Sequence, residues 1–286
     1  MSLRSPLVAA SICVGCLLSG CTGGQDKKIE PARLGDKTPP TETRPGADKK
    51  SDPKKSKESP PKVEDEKPEP KQAKELAKTT VEAWEKRGFT AGWMGANPAG
   101  VVVFAEQPKD LRDAMPSFRA RQTTDDAALK GLPPAELPFG LMLGNTKVSD
   151  AGLKELANLP NLAALDLGSI KLTNAGLSAL AGLNLVSLEI RSTEVTDAGL
   201  KSLAGLTRLT YLGLGNIEVT DAGLKDLAGL KNLTSLDLDL TKVTDAGLKD
   251  LAGLKNLTSL NLSLTKATDA GRKELQAALP KCVIVK

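Results

Sequence analysis

Histidine is absent from the 286 residues, which removes the commonest general base and the commonest zinc ligand together. Aromatic residues are scarce, with two Trp, one Tyr and four Phe, too few for base-stacking platforms or an aromatic sugar-binding groove. Neither sign of charge dominates: 39 Lys and Arg stand against 35 Asp and Glu, a formal +4, which gives no support to nucleic-acid recognition by a basic domain. No G-x-S-x-G, phosphate loop or Cys/His pair occurs. Gly213-Leu214-Gly215 is not a dinucleotide fingerprint, because Glu218 stands where the third glycine belongs. With no catalytic constellation, the chain reads as non-enzymatic, with no cofactor, no metal and no small-molecule substrate.

What is present begins with an address. Residues 1–21 carry Arg4 and then an apolar run from about Leu7 to Leu18, shorter than a bilayer span and placed as in an export signal. Its end, Leu18-Ser19-Gly20-Cys21, resembles the lipobox of bacterial lipoproteins. That resemblance implies cleavage before Cys21 and attachment of acyl chains (palmitate among them) to Cys21, hence an exported chain held in the cell envelope; several acyl chains hold a membrane far longer than one. Of the four cysteines only Cys282 lies beyond this segment, so a mature chain forms no internal disulfide.

Residues 22–71 hold 13 basic and 11 acidic residues, nine prolines and almost nothing large and apolar. Such a stretch buries too little surface to offset its ordering entropy and is expected to be a disordered linker, spanning roughly 40 Å as a coil. Residues 72–135 then gather five of the seven aromatics, Trp84, Phe89, Trp93, Phe104 and Phe118. Ala73, Leu76, Ala77, Val81 and Trp84 recur at helical spacing, with a stop at Lys86-Arg87-Gly88. Phe89 to Met94, Val101 to Ala105 and Pro116 to Arg121 read as strands. This small α+β unit is expected to cap the open end of the domain formed by residues 136–286.

From Val148 onward the chain repeats itself every 24 residues. The run that opens at Val219 recurs almost unchanged at Val243, with related copies at Val148, Leu172 and Val195. Each carries an L-x-x-L-x-L frame: Leu162, Leu165, Leu167; Leu185, Leu188, Ile190; Leu209, Leu212, Leu214; Leu233, Leu236, Leu238; Leu257, Leu260, Leu262. The last two of each set share one side of a short strand. A Thr-Asp-Ala-Gly-Leu segment comes next, in which Thr196, Thr220 or Thr244 suits a helix cap and Asp197, Asp221 or Asp245 the positive end of a first turn. Asp150 and Asp269 fall at the same place and are read as caps too.

These copies are similar to leucine-rich repeats of the ribonuclease-inhibitor-like type and to the repeats of F-box substrate receptors. The resemblance, covering residues from about 137 to the end, implies an α/β right-handed solenoid over 136–286, with a curved parallel sheet inside and helices outside. The family's usual Asn after the strand is replaced by Thr146, Ile170, Thr193, Ile217, Thr241 and Thr265; the threonine hydroxyls are expected to replace part of the buried amide ladder, and the isoleucines are not. Cys282 takes a buried leucine position. Seven strands at ~4.8 Å give a concave face roughly 30 Å long. Binding hot spots favour Trp, Tyr and Arg, so Glu189, Arg191, Tyr211, Asp237, Asp239 and Asn261 are the expected contact patch. Asp237, Asp239 and Asn261 offer too few oxygens for calcium.

Three functions compete: a membrane-anchored protein-interaction module facing the periplasm or cell surface, with an unknown protein partner; a structural spacer lipoprotein with no ligand; and, on repeat similarity alone, a substrate receptor of the F-box type.

Overall fold

The computed structural model describes residues 75–96 and 102–286. The expected signal segment, Cys21 and the linker over 22–71 lie outside the described residues. A helix, α1 (Lys78–Glu85), is followed by a turn that closes at Gly88, whose φ of +90° a side chain would resist. Three strands come next, β1 (Thr90–Ala96), β2 (Val102–Ala105) and β3 (Arg112–Arg119), then a short helix α2 (Asp126–Leu129). Strands and helices alternate from there: β4 (Phe139–Met142), α3 (Asp150–Leu153), β5 (Leu162–Asp166), α4 (Asn174–Ser178), β6 (Ser187–Glu189), α5 (Asp197–Leu200), β7 (Tyr211–Gly213), α6 (Asp221–Leu227), β8 (Ser235–Asp237), α7 (Asp245–Leu251), β9 (Ser259–Asn261), α8 (Asp269–Ala278) and β10 (Val283–Val285).

All ten strands join one sheet in the order β2-β1-β3-β4-β5-β6-β7-β8-β9-β10. From β3 to β10 every pairing is parallel, while β1 runs antiparallel to both β2 and β3. The aromatic-rich stretch therefore does more than lie over the end of the solenoid: β3 pairs directly with β4 and carries the sheet onward. The register aligns Leu141, Leu165, Leu188, Leu212, Leu236, Leu260 and Ile284 in one row. All but Ile284 are buried. Each buried leucine contributes ~1.5–3 kcal/mol of transfer free energy, and it does so only against the coils on either side, so the stack is stabilised neighbour by neighbour. The architecture is an α/β leucine-rich-repeat solenoid.

An aromatic cluster closes the leucine core at the N-terminal end. The fully buried Trp84 stacks on Phe118 at 4.2 Å and meets Phe89 and Phe139 edge-on, and its Nε1–H donates to the Pro133 carbonyl. These rings are core.

Two local expectations need correction. The hydroxyls of Thr146, Thr193, Thr241 and Thr265 donate to the carbonyls of Leu143, Ile190, Leu238 and Leu262, each within its own coil. They close a turn and build no ladder between coils, since the short side chain reaches only three residues back. Ile170 and Ile217 are simply buried in the core, and the register runs unbroken past both.

The recurrent aspartates do stand in the first turns of their helices, but the carboxylates of Asp150, Asp197, Asp221 and Asp245 act differently from expectation. The threonine does cap its own helix, as Thr220 accepts from the Ala222 N–H. The aspartate reaches the next coil: Asp197 accepts from the Thr220 N–H (2.8 Å) and hydroxyl (2.6 Å). Asp126–Ser149, Asp150–Thr173, Asp221–Thr244 and Asp245–Thr268 repeat the pair. At the third of the six steps Asn174 accepts from the Thr196 N–H but donates to its hydroxyl, and there the Thr196 side chain makes no cap bond. The glycine of each motif leaves room for this carboxylate; a Cβ on Gly223 would stand 2.4 Å from Asp197 Oδ1.

Candidate functional site on the concave face

Side chains that alternate with the leucine row point away from the core onto the concave face. One such row runs Arg119, Met142, Asp166, Glu189, Gly213, Asp237, Asn261. Its acceptors share a local task. Asp166, Glu189, Asp237 and Asn261 each accept from the backbone N–H two residues on, at Gly168, Arg191, Asp239 and Ser263. That bond satisfies a donor where the strand turns away.

The carboxylates are packed tightly enough to perturb one another. Glu189, only 4% exposed, extends over Gly213, where a Cβ would lie 2.3 Å from Oε2. The Tyr211 hydroxyl donates to that same oxygen at 2.7 Å. Arg191 lies against Gly168 and reaches Asp239 Oδ2 at 3.8 Å, while Asp239 Oδ1 is buried without a hydrogen-bond partner. Burial pushes the Asp166 carboxyl up to about 6, against the pull of the Gly168 N–H and Arg191. Asp237 is likewise pushed up to about 6, first by burial, with the Asp239 and Glu189 charges adding to it. Burial also raises Glu189, against the Tyr211 hydrogen bond, and the Tyr211 phenol is raised by burial and by Glu189. Four carboxylates thus face one guanidinium, Arg191.

Of the six residues expected from sequence, the structure brings Glu189, Arg191, Tyr211, Asp237 and Asp239 into one cluster. Asn261 stands in register beside Asp237, with its side-chain oxygen turned to Ser263. Asp166, outside the patch expected from sequence, joins the cluster, holding the frame position of Glu189 one coil earlier. Among the described residues no group of three or more Cys, Asp or Glu is placed to hold a metal ion. Cys282 is buried and its thiol is pushed up to about 11 by burial, a packing residue rather than a nucleophile.

The family model described as Leucine Rich repeat matches residues 183–204 and 229–252. No curated protein matches the chain significantly. Among solved structures, an internalin from Listeria monocytogenes is 27% identical over 51% of this chain and 47% of its own, with a TM-score of 0.44. An internalin C2 from the same organism is 27% identical over 59% of this chain and 79% of its own, with a TM-score of 0.41. The chain spans about half the length of the first of these.

Proposed function

We propose that this chain is a non-enzymatic protein-interaction module, exported and anchored in the cell envelope through lipid on Cys21, that binds a protein partner on its concave face. The observation that carries the reading is the cluster of Asp166, Glu189, Asp237 and Asp239 around Arg191 and Tyr211. Strand-exit bonding explains why Asp166, Glu189 and Asp237 bear acceptors. It does not explain why carboxylates stand where the neutral Asn261 serves the same bond, nor why Asp239 keeps a buried oxygen unpaired. Ionised groups held at a desolvation cost on an open face gain most when a partner supplies the missing opposite charge.

The test is photocrosslinking in intact cells, with the reactive residue placed at the concave positions Ser187, Ser235 or Ser259 and at the convex positions Ala198, Ala222 or Ala246. A discrete adduct from the concave set alone supports the reading. Adducts from neither set, or equally from both, contradict it and favour a spacer. The anchor is tested separately by incorporation of labelled palmitate, which Cys21→Ala abolishes if the lipid is there and leaves unchanged if it is not.

A further inference from the structure

The concave face has a second half of different character. Phe104 covers Gly92, where a Cβ would meet the ring at 2.4 Å, and Arg119 sits 4.5 Å over that ring. The Met94 methyl lies over Gly140, and the register sets Met115 beside Met94 and Met142 beside Arg119. Three of the chain's four methionines and one of its few aromatic rings therefore share the concave side of β1–β4. Met115, Met142 and Phe104 are half-buried. In the next strand Asp166 stands in register with Met142, and the anionic cluster begins there.

We infer that this sheet face takes a polypeptide segment with one apolar half, seated on Phe104, Met115 and Met142, and one basic half, seated over Asp166, Glu189 and Asp237. The inference rests on the interaction reading above and names the chemistry of its partner. Methionine is flexible and polarisable, suited to accepting apolar side chains of varied shape. The carboxylates outnumber their one guanidinium, so the partner's complementary charge is positive; the same surplus repels nucleic acid and anionic lipid. From β2, which carries Phe104, to β8 is seven strand steps, ~34 Å at ~4.8 Å each, which an extended segment of about ten residues crosses at ~3.3 Å per residue.

A random 12-residue peptide display library panned on the immobilised full chain tests this. Enriched peptides are expected to carry Lys or Arg in one half and large apolar residues in the other. Their affinity is expected to fall about tenfold in the Asp166→Asn, Glu189→Gln, Asp237→Asn variant, to fall about threefold with Met115→Gln and Met142→Gln, and to weaken in high salt on the unaltered chain. The salt response needs no variant to fold. Acidic or uncharged winners, salt-insensitive binding, or no enrichment overturns the inference. Patternless peptides that Ser235→Trp still blocks would overturn it while leaving the concave-face reading intact; loss of the in-cell concave adduct would remove that reading itself.

Discussion

Replacing Asp221 with alanine breaks one rung of the ladder between coils. Two hydrogen bonds go at once, from the Thr244 N–H and from its hydroxyl, at 2.8 and 2.6 Å. The hydroxyl can rotate toward water, but the backbone N–H is half-buried beside Gly247 and loses its acceptor. A hydrogen bond contributes about 1 kcal/mol net, and a buried donor left unpaired costs about 1–3 kcal/mol, so the substitution should cost about 2–3 kcal/mol. With a urea slope of about 2 kcal/mol/M, the unfolding midpoint of the full chain falls by about 1 M. Asp221→Asn should cost less than about 1 kcal/mol, because Asn174 already fills this role at another rung. Lys225→Ala, on the exposed face of the same helix, should stay within about 0.5 kcal/mol. Equal midpoints for Asp221→Ala and Lys225→Ala would refute the ladder.

Other consequences are as direct. Gly223→Ala forces a Cβ to 2.4 Å from Asp197 Oδ1 and should lower stability by about 2 kcal/mol or more, whereas Gly229→Ala, with nothing within 4 Å, should be neutral or slightly stabilising in the same urea melt. Leu240 and Leu264 sit at φ near +55° while 47% and 75% exposed, where Asn145 and Asn216 occupy the matching turns; Leu264→Asn should raise the midpoint by about 0.5–1 kcal/mol equivalent. Asp166 and Asp237 are raised to about 6 in the fold, above their unfolded value, so the folded state binds the extra protons. Their contribution to stability is full below pH ~4 and is lost as pH rises through about 6. Carboxyl carbon NMR should place both midpoints near 6, and the Asp237→Asn variant should lose part of that acid-side gain.

The leucine frame was legible in the sequence because a 24-residue period fixes which side chains stack, whatever the local propensity. The capping aromatics were legible as a group, but not that β3 would pair with β4 and extend the sheet, since strand pairing leaves no trace in one strand's own pattern. The aspartates misled because two local rules, an acid in the first turn and a hydroxyl at the cap, already accounted for Thr-Asp-Ala-Gly-Leu. The true partner lies 23 residues away, one coil on. The glycine at the fourth place of that motif was the available signal, for nothing in a helix start requires it. On the concave face, Tyr211 and Arg191 stood out among small residues and led to Glu189, Asp237 and Asp239. Asp166 holds the same frame position as Glu189, but its burial and its closeness to the Arg191 charge arise only once the coils are stacked.

The most direct test of the concave face as a binding surface is calorimetric titration of the purified chain with the partner identified by crosslinking, comparing the unaltered protein with the Glu189→Gln, Asp237→Asn variant. Binding weakened by about tenfold or more in the variant, with unfolding midpoints unchanged or higher, is the predicted result. An affinity indifferent to both substitutions would contradict it.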